Sequence, residues 1–410
     1  MADPTVELAL DLGTTTLGGC LVGPRGEVLA ESRLQNPQVR LGTDVIGRLE
    51  ASRAGCGEEL RHLLVGGIET LTGDLLRRAG LERGKVSRIA AAGNPAICHL
   101  LLNLPVDPIL FPPHRPAEPC GREFSAADLG LSLSASFYLF PLVSGYVGGD
   151  LVAFLFGVEE AVPSRLYVDI GTNGEMALLT EKGWLVTSVP AGPTFEGGGL
   201  ACGMMAKDGA VSGVHVAAEA LQLEIIGGGP PRGLCGSGVV SAIAACREAG
   251  LIGRDGTIAD PLSVETNLAR HVIETDRGRA LRLYRDAAVD LVLYQEEIRN
   301  FQLAKGALRA GVQCLVERAG VPEERIRDVV LTGAFGLSLR PSDLKVVAFL
   351  PEKMVNKVRF VEGGALQGCR RFLSDSDGVE KVRQLAKILK PFPLSGTPVF
   401  EKSFLNSLNF

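Results

Sequence analysis

Aromatic residues and histidines are scarce in this sequence, and their scarcity limits the functions that it supports. Phe, Trp and Tyr make up 5% of the 410 residues, with a single Trp, and there are five His. So few rings argue against a stacking platform for nucleobases. The net charge of −5 provides no bulk positive field to attract nucleic acid. We therefore expect a protein that does not bind nucleic acid.

Metal and redox sites of the common kinds are also missing. The nine Cys are odd in number and no two have CxxC spacing, which argues against a disulfide framework, a zinc site and a self-contained iron–sulfur cluster. The isolated His99, His114 and His271 have no metal-ligand spacing, so we expect them to be structural. We expect most of the cysteines to be small buried apolar residues in a reducing cytoplasm.

No targeting or membrane segment is visible either. Residues 1–8 have neither the basic nor the apolar region of a signal peptide. The nearest approach to a membrane span, Ile97–Phe111, is interrupted by Asn103, Asp107 and two prolines. These features predict a cytoplasmic chain that does not cross a membrane.

What the sequence does contain is one pattern that occurs twice. LALDLGTTT (residues 8–16) and LYVDIGTNGE (166–175) each join an apolar β-type run to Asp-x-Gly-Thr and a turn. The strand carries Asp11 or Asp169 to its carboxyl end, and the Gly lets the backbone approach a ligand closely. Such a turn suits a phosphate, with Mg²⁺ held between the phosphate and the carboxylates. Each copy alone is equally well explained as a structural turn, but two copies predict two related lobes that face one nucleotide.

The candidate site residues follow from this repeated pattern. We predict Asp11 and Asp169 as metal ligands and catalytic carboxylates. The turns and the phosphate contacts are assigned to Gly13, Thr14, Thr15, Gly171, Thr172 and Asn173. The pattern is not a Walker A loop, because no Lys follows the first turn, and GxSxG and HExxH do not occur.

Three further segments have both a functional and a structural interpretation. Gly333, Ala334 and Gly336 follow a short strand and suit close approach to an adenine or ribose, or form a plain strand-to-helix turn. Asp150 in SGYVGGD is a candidate general base or water-orienting carboxylate, or a helix cap. The glycine-rich loops 191–199 and 227–238 are interpreted as nucleotide contacts or hinges.

The periodicity of the remaining chain gives the expected organisation. We predict an α/β protein with two lobes, residues 1–162 and 163–410, and a helix at 362–374 that packs back on the first lobe. Residues 280–319 are predicted as two helices that join near Tyr294–Arg299. Arg299 and Lys305 are expected to be surface charges, and residues 391–410 a partly ordered tail.

The order of the motifs resembles the actin, sugar kinase and Hsp70 superfamily, and more closely the RACo-like reductive activators of corrinoid proteins. The resemblance extends over nearly the whole chain. It rests on LDLGTTT (10–16), NPQ…GTDVIGR (36–48), GNPAICHLLL (93–102), SGYVGGD (144–150), VDIGTNGE (168–175), AGPTFEGGG (191–199), GLCGSG (233–238), QEEIRNFQLAKGA (295–307) and LTGAFG (331–336).

The resemblance implies two ribonuclease-H-like lobes around a nucleotide cleft, with ATP and Mg²⁺ as cofactors. It implies an ATPase that drives reduction of a corrinoid protein, or of a related metalloprotein, from Co(II) to Co(I). Asp11, Thr14 and Thr15 match the first phosphate motif of the family. The second phosphate motif, the adenosine motif and the first connecting motif are matched by Asp169, Gly171, Thr172, Asn173, Gly333, Ala334, Gly336 and Asp150.

The sequence departs from the family at one point. Members typically carry an amino-terminal plant-type [2Fe–2S] domain, and this sequence has no such Cys cluster. We therefore expect no iron–sulfur cluster in this chain and a separate ferredoxin-like protein as the electron donor. A homodimer is compatible with these features. The alternative functions are a small-molecule kinase of the same superfold and a non-catalytic nucleotide-gated binding module.

Overall fold

The computed structural model describes residues 5–158, 161–333, 339–394 and 396–410. The chain divides into two compact units. The first unit comprises Met1–Pro163, Leu179–Thr187 and Gly363–Phe392, and the second comprises Ser164–Leu178, Ser188–Glu362 and Pro393–Phe410. Neither unit is a single continuous stretch, in contrast to the two consecutive lobes that the sequence suggests.

The described residues form eighteen strands and twelve α-helices. The strands are β1 (Val6–Leu12), β2 (Thr16–Val22), β3 (Val28–Gln35), β4 (Val86–Gly93), β5 (Arg122–Ser125), β6 (Ser136–Leu139), β7 (Arg165–Ile170), β8 (Asn173–Thr180), β9 (Gly183–Pro190), β10 (Ala210–Ala217), β11 (Ala220–Ile225), β12 (Gly233–Leu234), β13 (Val272–Thr275), β14 (Gly278–Arg285), β15 (Asp290–Tyr294), β16 (Asp328–Gly333), β17 (Val358–Phe360) and β18 (Leu389–Pro391). The helices are α1 (Val45–Ala51), α2 (Gly57–Ala79), α3 (Pro95–Leu101), α4 (Asp107–Leu110), α5 (Gly149–Gly157), α6 (Gly236–Glu248), α7 (Gln295–Ala319), α8 (Pro341–Val346), α9 (Glu352–Val355), α10 (Gly364–Ser374), α11 (Gly378–Ile388) and α12 (Pro398–Asn406).

The first unit is built on a six-stranded sheet with the order β3-β2-β1-β4-β6-β5. β1 pairs antiparallel with β2 and parallel with β4, so it lies inside the sheet. Helix α2 covers β2 and β3 with an apolar face that includes Leu64, Ile68, Leu71 and Leu75, spaced three or four residues apart. The helix ends at Gly80, whose left-handed conformation is typical of a helix C-terminus.

A helix from late in the chain completes the first unit. Helix α10 packs on α5, β1 and β4. Its Gly368 lies so close to α5 that an added Cβ would be 1.8 Å from the carbonyl oxygen of Ala153. Phe372, also on α10, stacks on Tyr138 with ring centroids 4.2 Å apart. Residues far apart in the sequence therefore share one hydrophobic core.

The second six-stranded sheet has the order β17-β16-β7-β8-β9-β18. Within it β7 pairs antiparallel with β8 and parallel with β16, as β1 does with β2 and β4. In both sheets, the strand that leads into the sequence motif therefore has one antiparallel and one parallel neighbour. The second unit also contains two three-stranded sheets, with the orders β11-β10-β12 and β13-β14-β15.

Three sequence-based expectations are wrong. Residues 280–319 are not two helices: β14 and β15 form an antiparallel hairpin before the single helix α7, because the short apolar run of β15 pairs with β14 as a strand. Pro393–Phe410 belongs to the second unit, and its described residues include helix α12 and the buried Phe410 instead of a partly ordered tail. Lys305 is 0% exposed instead of lying at the surface.

The cysteines of the chain form no disulfides, and His99 makes hydrogen bonds to the backbone. All nine Cys are unpaired, and six of them are buried. His99 is buried between the carbonyl oxygen of Pro105 and the backbone N–H of Ala117. Among the described residues, none of the helices has the length and apolar character needed to cross a bilayer.

Candidate functional site

The first phosphate motif lies in the turn between β1 and β2. Asp11 is the last residue but one of β1 and pairs with Gly18 across the hairpin. Gly13 begins the turn, and a Cβ at this position would lie 2.5 Å from the carbonyl oxygen of Thr16. Only Gly fits this turn without a backbone shift. Thr14 and Thr15 follow Gly13 in the same turn.

A buried asparagine that the prediction missed supports this turn. The side-chain amide of Asn36 donates to the carbonyl oxygen of Gly13 at 2.9 Å, and its backbone N–H donates to that of Thr15 at 2.8 Å. Asn36 is fully buried and is itself held by Gln38, which contacts the buried guanidinium of Arg48. The NPQ…GTDVIGR segment therefore supports the β1–β2 turn with polar contacts.

A second asparagine contacts the turn from the end of β4. The Nδ2 of Asn94 donates to Oγ1 of Thr14 at 2.8 Å. The Oδ1 of the same side chain accepts from the backbone N–H of Ile97 at 3.1 Å and caps helix α3. Asn94 and Thr14 are each 5% exposed. The GNP segment thus fixes the rotamer of a predicted site residue.

Asp150 lies in the first turn of α5, in the same unit as Asp11. Its Oδ1 accepts from the backbone N–H of Leu151 at 2.8 Å. Burial raises the pKa of Asp150 to about 6. The preceding Gly148 is packed so tightly that a Cβ would lie 2.6 Å from Cα of Asn94. A carboxyl with this pKa is suited to accept a proton near neutral pH.

The second phosphate motif lies in the turn between β7 and β8. Asp169 is the last residue but one of β7 and pairs with Glu175 across the hairpin. In the turn, the N–H of Gly171 donates to the carbonyl oxygen of Asn173 at 3.0 Å. The carbonyl oxygen of Thr172 accepts from the N–H groups of Ala191 and Gly192 at 3.1 and 2.8 Å. The glycine-rich segment 191–199 is therefore bonded directly to this turn.

Glu196 lies in the glycine-rich loop 191–199, which the sequence analysis gives as nucleotide contacts or a hinge, but it is not among the predicted site residues. Its Oε1 accepts a hydrogen bond from Oγ1 of Thr172 at 2.8 Å. Its neighbour Phe195 is fully buried and packs edge-on against Phe301 and Phe349, with centroids 5.6 and 5.3 Å away. The aromatic contacts anchor the loop that presents Glu196. In the sequence, Glu196 is marked only as a charged residue inside a glycine-rich loop. Such a loop has no helix or strand periodicity from which the direction of the side chain could be predicted.

The candidate adenosine motif begins beside the second hairpin. β16 runs parallel to β7, with Gly333 in register with Ile170. Gly333 has φ of 114°, and a Cβ there would lie 2.1 Å from the carbonyl oxygen of Ile170. This close approach requires Gly. Ala334 and Gly336 lie outside the described residues.

The second glycine-rich loop, residues 227–238, packs at its carboxyl-terminal end against a strand. Gly238, in the first turn of α6, lies against β10, and a Cβ there would be 2.0 Å from the carbonyl oxygen of Val211. Cys235, just before α6, is buried, and its thiol donates to the same oxygen at 3.3 Å. This helix–strand contact explains the glycine at position 238.

Each hairpin therefore presents a carboxylate, a hydroxyl and a glycine turn at the carboxyl end of a strand with a parallel neighbour. The carboxyl ends of such strands are the usual place for ligands in α/β sheets. Across residues 5–158, 161–333, 339–394 and 396–410, no cluster of three or more His, Cys, Asp or Glu could hold a metal ion.

Residues 164–410 match the family described as the C-terminal domain of RACo, the ASKHA domain, and residues 6–159 match the RACo middle region. The chain belongs to the RACo family. The predicted family and the α/β fold of the actin, sugar kinase and Hsp70 class are thereby confirmed.

Individual RACo relatives align over nearly the whole chain. RamQ of Eubacterium limosum, a corrinoid activation enzyme, is 28% identical over 99% of this chain and 70% of its own. The Co(II) methylated amine-specific corrinoid protein reductase of Methanosarcina barkeri is 21% identical over 93% of this chain and 72% of its own. A solved reductive activator for a corrinoid, iron–sulfur protein has a TM-score of 0.93 and 29% identity, over 100% of this chain and 67% of that chain.

Proposed function

We propose that this RACo-family chain is an ATP-dependent activator of a corrinoid protein. Binding and hydrolysis of ATP to ADP and phosphate would accompany transfer of one electron, which reduces Co(II) to Co(I) in the partner. We propose a separate ferredoxin-like iron–sulfur protein as the donor of this electron. The observation that carries the proposal is the Asp-x-Gly-Thr hairpin, which occurs with the same strand neighbours in both sheets.

Magnesium fits the donor groups of these hairpins. Protein-bound Mg²⁺ usually takes one or two carboxylates and completes its shell with water and substrate phosphates. Asp11 and Asp169 supply such carboxylates, and Gly13 and Gly171 place no side chain at their own positions in the turns. When bound, Mg²⁺ neutralises charge on the β- and γ-phosphates. Within the chain, Asp11 and Asp169 would serve as carboxylate ligands, the hairpin hydroxyls and N–H groups would orient the phosphates, and Asp150 would accept a proton from the attacking water.

The test is ATP hydrolysis by the purified protein with Mg²⁺, with and without a corrinoid protein and a reduced ferredoxin. We expect turnover that the corrinoid protein increases, together with the absorption change of Co(II) to Co(I). A phosphorylated small molecule in place of free phosphate would contradict the proposal and favour the kinase. Tight ATP binding without turnover in any mixture would favour the nucleotide-gated binding module.

The proposed function is also consistent with a particular cellular location and oligomeric state. We propose a cytoplasmic location, where a reducing environment keeps nine thiols unpaired. A homodimer is compatible with the activator function.

The raised pKa of Asp150 leads to a prediction for the pH dependence of hydrolysis. Only the carboxylate form accepts a proton, and its fraction increases as the pH rises through about 6. We therefore expect kcat to fall below this pH. In Asp150→Asn we expect kcat to be lower by about 100-fold or more and this acidic limb to be lost.

A helix-cap control separates the two interpretations of Asp150. Asp44 caps α1 by accepting from the N–H of Gly47 at 2.8 Å, and Asp44→Asn changes a helix terminus of the same unit. This variant should keep the wild-type pH profile. Equal losses of kcat in the two variants would indicate that Asp150 is only a helix-terminal residue. Steady-state phosphate release between pH 5 and pH 8.5 is the measurement.

A further inference from the structure

Two of the nine cysteines lie side by side in the first unit. Cys98, on α3, is fully buried, whereas Cys120, just before β5, is partly exposed. Both side chains pack in the hydrophobic core of that unit, and a side-chain hydrogen bond links the two thiols. Both are free thiols, so this contact joins two groups that can be oxidised to a disulfide without a third sulfur.

Backbone hydrogen bonds hold Cys120 at this position. On one side of it, the N–H of Ala117 donates to Nε2 of His99 on α3 at 3.3 Å. On the other side, the N–H of Gly121 donates to the carbonyl oxygen of Leu139 on β6 at 2.9 Å. Cys120 itself has a φ of 59°, a left-handed conformation that is uncommon for residues other than Gly. The segment that carries Cys120 is therefore attached to α3 and to β6.

The two thiols differ in their access to solvent, which decides the order in which they react. The hydrogen bond with Cys120, and then burial, hold the pKa of Cys98 well above its usual value, and the charge of Asp150 raises it further. Cys98 is therefore a shielded thiol at neutral pH. An oxidant from solvent reaches Cys120 first, because its side chain is the exposed one of the pair.

We propose that Cys98 and Cys120 are a reversible oxidation site, which a peroxide converts into a disulfide. The sulfur of Cys120 attacks one oxygen of hydrogen peroxide, the O–O bond breaks, and the products are a sulfenic acid at Cys120 and one water. The sulfur of Cys98 then attacks the sulfenic sulfur and forms the S–S bond. The displaced hydroxide takes the proton of Cys98 and leaves as a second water. Two electrons thus pass from the two sulfurs to one peroxide, and a dithiol reductant reverses the change.

Oxidation of Cys98 acts on the turn of the first phosphate motif. The thiol of Cys98 donates to the carbonyl oxygen of Gly93 at 3.6 Å, and this interaction needs the hydrogen that oxidation removes. Asn94 follows Gly93, and its side chain donates to Thr14 at 2.8 Å. Disulfide formation therefore displaces Asn94 and weakens nucleotide binding at the β1–β2 turn. This effect on binding rests on the proposed ATP site, whereas the disulfide itself does not.

The test measures the disulfide and nucleotide binding on the same samples. The full chain is treated with hydrogen peroxide, its free thiols are counted after denaturation, and the link is located by peptide mass mapping. The variants are Cys120→Ser and Cys98→Ala. Cys56→Ser is the matched control, because Cys56 is partly exposed like Cys120 and belongs to the same unit. The Kd of a fluorescent ATP analogue is measured before oxidation, after oxidation and after addition of dithiothreitol.

We expect a linked peptide pair that joins Cys98 to Cys120, with a mass lower by two hydrogens, in both the wild type and Cys56→Ser. The Kd of the nucleotide should rise about tenfold on oxidation, and dithiothreitol should restore it. Cys120→Ser should form no such link and should keep the Kd of the reduced wild type in peroxide. Because Cys120 is partly exposed, this variant carries the test even if the buried Cys98→Ala unfolds.

The oxidation site is overturned if peroxide modifies Cys120 and Cys56 alike, as single sulfinic acids or as links between chains. It is also overturned if Cys98 and Cys120 both stay reduced at a peroxide concentration that oxidises the denatured chain. A disulfide that leaves the Kd unchanged would overturn its effect on the β1–β2 turn. Failure of the reduced wild type to bind the nucleotide would contradict the proposed function, and the peptide map would still decide whether the disulfide forms.

Discussion

Replacing Asp169 with Asn should lower kcat for ATP hydrolysis by at least about 100-fold, with a much smaller change in nucleotide affinity. Asn keeps the size of the side chain and loses its charge. Asp169 stands near the carboxyl end of β7, in register with Thr332 of β16, and the proposed function makes its carboxylate a metal ligand. Asp11→Asn, the equivalent change on β1, should have an effect of the same order.

Asp328 provides a matched control for this substitution. It lies in the adjacent strand β16 but at the opposite end, where it forms an ion pair with Arg165 at 2.7 Å. Asp328→Asn removes one charge from the same sheet and should change kcat by less than about threefold. Single-turnover hydrolysis and the thermal midpoint are measured for each variant. Comparable losses of kcat in Asp328→Asn and Asp169→Asn would show that Asp169 acts through the stability of the sheet.

Replacing Lys305 with Met should change how the free energy of unfolding depends on pH, with a difference between variant and wild type of about a few kcal/mol between pH 7 and pH 9.5. Lys305 is fully buried on α7, where its ammonium group donates to the carbonyl oxygen of Asn409 and lies 5.3 Å from the ring centroid of Phe410. Burial, and then the charge of Arg309, lowers the pKa of Lys305 to about 7. The folded protein therefore holds a neutral amine at a pH where the unfolded chain holds an ammonium ion.

The direction of the effect follows from proton linkage. Between about pH 7 and pH 10.5 the unfolded state binds more protons at Lys305, so the wild type gains stability as the pH rises, by at most roughly 1.4 kcal/mol per pH unit. Lys305→Met lacks this gain. We expect the free energy of unfolding of the variant, relative to wild type, to fall as the pH rises from 7 to 9.5.

Urea denaturation at a series of pH values measures this difference. Lys402→Met is the matched control, since Lys402 is exposed on the neighbouring helix α12, and its curve should run parallel to that of the wild type. Parallel curves for Lys305→Met and the wild type would contradict the prediction. They would mean that the carbonyl of Asn409 and the ring of Phe410 compensate fully for the desolvation of the ammonium group.

The motif hairpins were predictable from the sequence because their determinants are local. An apolar strand, an Asp at its end and a Gly turn are neighbours in the chain, and they form the β1–β2 and β7–β8 hairpins at the predicted places. Helix α2 and its terminal Gly80 are local in the same sense. Resemblance to a family added the expectation of two ribonuclease-H-like lobes, which periodicity alone does not provide.

The residues that support the site were not predictable in this way. Asn36 reaches Gly13, and Glu196 reaches Thr172, across 23 and 24 positions of the chain. Nothing in the neighbourhood of either residue in the sequence indicates its partner. Lys305 was misjudged for the same reason, because its partner Asn409 is separated from it by 104 positions. The β14–β15 hairpin was mistaken for a helix because short apolar runs fit both periods.

The late position of α10 has a consequence for how the protein is made. When the ribosome has released residues 1–163, the faces of α5 and β1 that α10 covers are still exposed, since residues 363–392 have not been synthesised. The closest contact, Gly368 against Ala153, joins positions separated by more than half of the polypeptide. Residues 1–163 therefore keep this apolar surface exposed, where chaperones can bind it or it can aggregate, until translation is almost complete. For the same reason, a fragment that stops near residue 163 would lack part of its own core.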